Sequence, residues 1–283
     1  MNYIKLLRLD EHIPLIGVIL AASLYLRQTG MWIIGWALGA ICISIVVFMV
    51  NELVDREDTD KYSWNPVHIG KNTRLNMKIV GFLFFLFTIL GLLFSYLAGF
   101  FWWGILLWII GIMYSLKPVR LKARFGLDIL AQISCAIFIP FLAPISTLGN
   151  LRNTLVFTLI LSLMLWSVVF PYQLADYEAD VRAGLKSTHV VLGMKNSLIF
   201  GFFLVVGSVS SYVMLRFFNY SWSIFLVLLA IFSAAMYLHW YRMKSQKKQQ
   251  ESMQSYVRIV KPLSQILPFY FLVWMFITKL LAF

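Results

Sequence analysis

The sequence predicts an all-α membrane protein, nine transmembrane helices in a single bundle around a central cavity, and three observations carry that prediction. Hydrophobic residues make up 61% of the 283-residue chain and charged residues 13%, a balance that soluble domains do not have. Apolar stretches of about 20 residues recur along nearly the whole length, and backbone groups in lipid must bond within their own segment, which selects helices. The cations are also sorted. With the N-terminus in the cytoplasm, only Arg27, Arg152, Arg216 and Lys279 of the 24 Lys and Arg fall on the far side. One polytopic domain over residues 1–283 follows, integral to the membrane and multi-pass, with its N-terminus and acid-bearing loops cytoplasmic. The net charge of +12 is then matched to membrane lipid head groups or an anionic ligand, and no nucleic-acid or obligate protein partner is called for.

The segment 1–11 is a short lead-in of mixed charge, and Pro14 opens the first span, 13–29, where a first helical turn tolerates proline. The second span, 31–53, carries Gly35 and Gly39, a small-xxx-small pattern that lets a neighbouring helix approach closely. Spans 76–97 and 101–115 are joined by a turn around Gly99, and Trp102, Trp103 and Trp108 crowd the second of them as interfacial anchors or pocket walls. The connection from Tyr114 to Arg124 holds four cations and no acid; Lys117, beside Pro118, is the one placed to point inward, while Arg124 reads as a solvated loop residue. Span 126–148 contains Asp128, Pro140 and Pro144, and prolines four apart should bend it and free backbone carbonyls that neighbours must satisfy. Spans 153–174, 196–216 and 221–241 follow, with a polar connection over 180–195. Residues 242–261, basic and rich in Gln and Ser, read as a linker lying on head groups, and the last span, 263–283, starts after Pro262. Cys42 and Cys135 lie inside spans without metal-type spacing and read as small packing residues.

Two of these spans end in acids. Asn51-Glu52-Leu53-Val54-Asp55 runs on from the second span to Asp58 and Asp60, and Gln173, Asp176, Glu178 and Asp180 close the sixth. At 100° per residue, Asn51, Asp55 and Asp58 share a face within about 60°, with Asp60 opposite; Gln173, Asp176 and Asp180 share another, with Glu178 turned away. Ionisable groups at a bilayer rim mark an ion or substrate site. Two facing stripes of hard oxygen donors select Mg²⁺, which keeps waters and takes a few carboxylates plus substrate phosphate. The cations Lys117, Arg120, Lys122, Arg182 and Lys186 on adjacent connections would neutralise the remaining charge. A diphosphate head at the rim with a hydrocarbon tail among Phe, Met and Leu describes a polyprenyl diphosphate.

These residues resemble the signatures of the UbiA superfamily of intramembrane prenyltransferases. Asn51 to Asp55 is similar to the first signature, and Asp176-Tyr177-Glu178-Ala179-Asp180 with Ala183-Gly184-Leu185-Lys186-Ser187-Thr188 to the second. Tyr114-Ser115-Leu116-Lys117-Pro118 through Lys122 looks like the loop after that family's fourth helix. The resemblance implies that Asn51, Asp55, Asp176 and Asp180, with Asp58 or Asp60 completing the first motif, bind two Mg²⁺ that grip the diphosphate. Lys117 and Lys186 would contact its oxygens, with Lys122 and Gln173 beside them. It also implies ionisation of the allylic carbon–oxygen bond followed by attack of a lipophilic, aromatic acceptor, with Tyr114 or Tyr172 lining the pocket of the allylic cation.

The chain departs from the family at three places. Glu52 replaces an Asp, Thr59 stands where the third acid should fall, and Trp64-Asn65-Pro66-Val67-His68 replaces an arginine-rich ending, with Lys61, Lys71 and Arg74 as substitutes. His68 and His189 read as solvated loop residues, and His12 and His239 receive no role. A terpene cyclase of the same fold, quenching the cation with the substrate's own double bonds, is the alternative reading. A transporter is disfavoured because the acids gather at one face instead of the bilayer midplane.

Overall fold

The structure, a computed structural model, describes residues 2–27, 30–55, 75–148, 151–214 and 224–280. Every element named among them is helical, and the one sheet-like contact is an isolated bridge between Arg124 and Lys186. The chain runs through α1 (Asn2–Leu7), a 3₁₀ turn (Leu9–His12), α2 (Ile13–Leu26), α3 (Met31–Asp55), α4 (Met77–Leu97) and α5 (Phe101–Ser115). A second 3₁₀ turn (Leu121–Ala123) leads to α6 (Leu127–Ile133), a π turn (Ser134–Phe138) and α7 (Ile139–Leu148). The remainder is α8 (Leu151–Ala175), α9 (Tyr177–Arg182), α10 (Thr188–Met214), α11 (Ile224–Arg242) and α12 (Gln246–Leu280).

Among the described residues, six segments are long and apolar enough to cross a membrane: Met31–Asp55, Met77–Leu97, Leu127–Ser146, Thr154–Ala175, Thr188–Met214 and Lys247–Ile277. Three shorter apolar helices, Ile13–Leu26, Phe101–Ser115 and Leu226–Arg242, occupy the other predicted spans. The side-chain distribution agrees with a lipid environment. Phe82, Phe85, Ile89 and Leu93 on α4 and Phe269, Val273 and Phe276 on α12 face outward, while Arg8, Glu52, Asp55, Lys122 and Asp128 are buried. In water such an apolar exterior would be a large exposed patch.

α3 packs on α4 and α5, α8 packs on α10, α11 and α12, and α2 lies between the two groups against α3, α7 and α12. The close approach expected of the Gly35/Gly39 stripe is made by α4. A methyl group added at Gly39 would sit 2.9 Å from the Ser95 nitrogen and 3.1 Å from the Gly91 carbonyl oxygen. Around this contact Trp36, Ile43, Phe100, Leu107 and Ala143 form one core cluster, and α8, α10, α11 and α12 enclose a larger one.

The prolines interrupt backbone bonding, and neighbouring helices repair the damage. Pro144 cannot donate to the carbonyl of Pro140; the indole Nε1–H of Trp36 does so from α3, at 2.9 Å. Pro171 likewise leaves the Ser167 carbonyl open, and the Tyr237 hydroxyl on α11 donates to it at 2.7 Å. The π turn just before Pro140 widens the helix where its bonding is already weakened.

Two predicted boundaries are corrected. Residues 242–261 are no head-group linker: α12 runs unbroken through Pro262 and Pro268, 35 residues or ~52 Å. Its polar side chains serve the protein, since Gln250 Nε2 donates to the Ala175 carbonyl at 3.1 Å, Ser252 Oγ accepts from Trp240 Nε1 at 3.1 Å and the Tyr256 hydroxyl donates to the Val168 carbonyl at 3.2 Å. The span predicted over 196–216 starts earlier, at Thr188, in a helix bent where Gly193 takes φ 75° and ψ 161°. A Gly39→Ala protein, whose new methyl meets the backbone of α4 as well as the Ser95 hydroxyl, is expected to lose about 1–3 kcal/mol. Gly81→Ala, with nothing within 4 Å, should be neutral or stabilising; thermal unfolding of the two variants in detergent checks the contrast.

Candidate active site

The acid-bearing end of the bundle is assembled from four helix termini and two connections. α3 stays helical to Asp55, so Asn51 and Asp55, four residues apart, point the same way. The second acid stripe is not one helix as the residue count implied. α8 ends at Ala175, Asp176 sits at the junction with φ −94° and ψ 3°, and α9 carries Asp180. Gly184, at φ 69°, then turns the chain so that Ser187 and His189 come back beside Asp180. Despite the break, Gln173, Asp176 and Asp180 line the same cavity as Asn51 and Asp55, a space of about 260 Å³. Tyr114, Lys122 and Tyr172 line it too.

Asp55, Asp180 and Asp128 on the cavity wall are each met by a donor. Asp55, 5% exposed, makes a direct ion pair with Lys122 Nζ through Oδ1, and Arg120 Nη2 lies 3.5 Å from the same oxygen. Lys122 Nζ is also 3.4 Å from Asn51 Oδ1, which in turn accepts from Ser115 Oγ at 2.7 Å. On the opposite wall His189 Nε2 donates to Asp180 Oδ2 at 2.9 Å. Asp128 holds the two connections together. It accepts from the Thr188 backbone N–H at 2.8 Å and from the Thr188 hydroxyl, and that hydroxyl accepts from the Gly126 N–H at 2.8 Å. The Arg124–Lys186 bridge continues the same junction.

Deeper in, the cavity is aromatic and amide-lined. Gln132 Nε2 donates to the Tyr114 hydroxyl at 2.6 Å, and Gln132 Oε1 accepts from Trp166 Nε1 at 3.3 Å, so the tyrosine is held from one side and keeps its own proton for another acceptor. The N-terminal segment borders the opening through Arg8 and Glu11. Arg8 pairs with Glu52 at 3.4 Å, its guanidinium 5.4 Å from the centroid of Phe48, and Glu11 pairs with Lys261 of α12 at 2.7 Å. Glu52, the departure from the family pattern, is therefore absent from the cavity lining and ties down the N-terminal segment.

Two of the expected residues lie elsewhere. Lys117, expected to point inward, is exposed, as is Lys186, and neither lines the cavity; the left-handed turn at Arg120 (φ 38°) and the 3₁₀ turn after it carry Lys122 inside instead. Asp58, with Asp60 and the stretch from Lys61 to Arg74, falls outside the described residues. Conversely, His189 is buried instead of solvated, and Asp128, Gln132, Arg8 and Glu11 join the lining without having been singled out for it. Only Asp128, a lone acid just inside a span, carried a sequence signal.

The donor set is chemically suited to a hard divalent cation. Every acidic and amide ligand candidate offers oxygen, and Gln173 Oε1 is buried with no hydrogen-bond partner. Among the described residues no three His, Cys, Asp or Glu side chains converge tightly enough to hold a metal alone. An ion here would need to complete its shell from water and a phosphate-bearing ligand, the usual habit of Mg²⁺.

The arrangement of helices recurs in solved structures. A UbiA homolog from Archaeoglobus fulgidus bound to DMAPP and Mg²⁺ matches with a TM-score of 0.70 at 18% identity, over 96% of this chain and 99% of that one. A UbiA homolog from the same organism bound to GPP and Mg²⁺ gives 0.66 at 19% identity over 96% and 99%. A digeranylgeranylglyceryl phosphate synthase structure gives 0.62 at 16% identity over 94% and 97%. At these identities the likeness is one of fold. No curated protein matches the chain in sequence. The model of the UbiA prenyltransferase family does match it, over residues 13–259 and hence over both walls of the cavity, and the chain belongs to that family.

Proposed function

We propose that this protein is an Mg²⁺-dependent intramembrane prenyltransferase that moves an isoprenyl group from a polyprenyl diphosphate to a lipophilic acceptor. The observation that carries the proposal is the meeting of Asn51 and Asp55 with Asp176 and Asp180 around one cavity. Membership of the UbiA family and the likeness to homologs bound to DMAPP or GPP with Mg²⁺ support it. In this reading the three shorter apolar helices complete a nine-span, single-domain bundle, and the cation bias puts the N-terminus and the acid walls on the cytoplasmic side.

Asn51 and Asp55 on one wall and Gln173, Asp176 and Asp180 on the other would hold the metal. Bound Mg²⁺ supplies charge neutralisation that makes diphosphate a better leaving group. The chain's own residues do the rest. Lys122 lines the cavity against Asp55, with Arg120 behind the same carboxylate, so Lys122 is the cation to receive the oxygens of the diphosphate, in preference to the exposed Lys117 and Lys186. Breaking the allylic carbon–oxygen bond leaves its electron pair on the diphosphate and an allylic cation on the carbon. Tyr114 and Tyr172 present aromatic faces to that cation, and the apolar interior keeps water from quenching it. The acceptor attacks the allylic carbon and then loses a proton.

Lys122 has a second part in this scheme. Its ammonium lies against Asp55 and near Asn51, the ligands assigned to the first ion, and so competes with metal for them. Isothermal titration of Lys122→Met is expected to show Mg²⁺ binding about tenfold tighter without diphosphate and prenyl diphosphate binding about tenfold weaker. A loss of Mg²⁺ affinity in this variant would contradict the assignment.

Asp55→Asn and Asp176→Asn should each lower diphosphate release by about 10²-fold or more while eluting as wild type from a sizing column in detergent. Turnover retained in either would remove that residue from the site. Incubation with geranylgeranyl diphosphate alone separates transfer from cyclisation: no organic product until an acceptor is added fits transfer, and a cyclic hydrocarbon without acceptor fits the cyclase.

A further inference from the structure

A second concavity shares no lining residue with the acid-walled cavity. Gly193, in a backbone conformation that few side chains allow, breaks α10 one turn after its start, and the chain turns again between Arg242 and Gln246 where α11 passes into α12. The two breaks leave a notch of about 560 Å³ lined by Lys195, Tyr241, Arg242 and Lys244 on the rim, with Met194 and Leu198 buried in its floor. Its shape is fixed from beneath. The buried Gln249 donates through Nε2 to the Trp240 carbonyl at 2.7 Å, closing the last turn of α11, and Gln250 on the same turn binds the end of α8 beside Asp176.

The charge of this notch is the reverse of the catalytic cavity's. No acid lines it, and among the described residues Lys195, Arg242 and Lys244 make no ion pair. Lys195 Nζ instead stands 5.6 Å from the centroid of the exposed Tyr241 ring. Three cations gathered without a counterion repel one another, and an anion held among them relieves that repulsion. A ligand that is only an anion would leave the apolar floor beside them uncovered. It suits an amphiphile whose phosphate lies on the rim and whose first methylenes descend onto Met194 and Leu198, at the depth where α10 enters the apolar bundle. The size is within the range of small-ligand sites, about 300–1,000 Å³.

We propose that this notch is a binding site for the head group of an anionic glycerophospholipid, separate from the prenyl diphosphate cavity. The site reads the phosphate and net negative charge of the lipid through Lys195, Arg242 and Lys244, and its apolar floor distinguishes a lipid from free phosphate. The inference does not depend on the transferase reading, because none of these residues lines the acid-walled cavity.

The test compares three ligands on the full-length protein in uncharged detergent by native mass spectrometry: dihexanoyl phosphatidylglycerol, dihexanoyl phosphatidylcholine and inorganic phosphate. Two double variants are measured beside wild type, Lys195→Ala/Lys244→Ala in the notch and Lys247→Ala/Lys248→Ala, which removes the same charge from exposed positions outside it. The expected result is saturable phosphatidylglycerol binding to wild type that falls about 25-fold in the notch variant, which removes two cations, and stays near wild type in the control, since each interfacial cation contributes roughly a fivefold effect. Equal binding of phosphatidylcholine would overturn the charge reading. Phosphate binding as tightly as the lipid would overturn the lipid assignment, and an equal loss in both variants would assign the effect to diffuse surface charge.

Discussion

Carboxylates gathered at the end of an apolar bundle repel one another and give up hydration, and the rest of this structure is arranged around meeting that penalty. Asp55 is met by Lys122 and Arg120, Asp180 by His189, Asp128 by Thr188, Glu52 by Arg8 and Glu11 by Lys261. The partners come from four different parts of the chain. The N-terminal segment, the connection after α5, the start of α10 and the middle of α12 are thereby drawn to the same end, and the cavity exists because these contacts hold its rim. A buried ion pair of this kind gives little net stability, but losing one partner is expensive, which fixes the geometry of whatever remains.

The interior below the rim answers a similar demand from the backbone. Prolines at 140, 144 and 171 let helices bend around a cavity, yet each removes a hydrogen bond in a place without water. Trp36 and Tyr237 restore two of those bonds from neighbouring helices, so the bends are fixed by packing. The glycine contacts on α3 bring α4 within backbone distance and free the inner face of α3 to carry Asn51 and Asp55 toward the opposite wall. Packing in the membrane and placement of the ligands are in this sense one problem.

Much of this could be read from residue spacing. The four-residue separation of Asn51 and Asp55 needs only a helix to put both on one face, and α3 supplies it. The Gly35/Gly39 stripe and the proline pair likewise act through local geometry that a sequence states directly. What escaped was long-range. Nothing near Lys117 or Lys122 says which lysine a left-handed turn at Arg120 will carry inside, and nothing near His189 says that Gly184 will return it to Asp180. The polar run before Pro262 looked like a linker lying on head groups because its glutamines and serine have partners on α8 and α11, more than 70 residues away in the case of Gln250 and Ala175. Proline, too, proved a poor stop signal inside a packed bundle.

The central claim is that the Asn51/Asp55 wall and the Asp176/Asp180 wall grip divalent ions on a shared diphosphate. Anomalous diffraction from crystals grown with Mn²⁺ and an unreactive prenyl thiolodiphosphate tests it most directly. The account predicts metal peaks beside both walls, bridged by the diphosphate, with Lys122 moved off Asp55. Metal bound at one wall alone, or diphosphate held without metal, would contradict it.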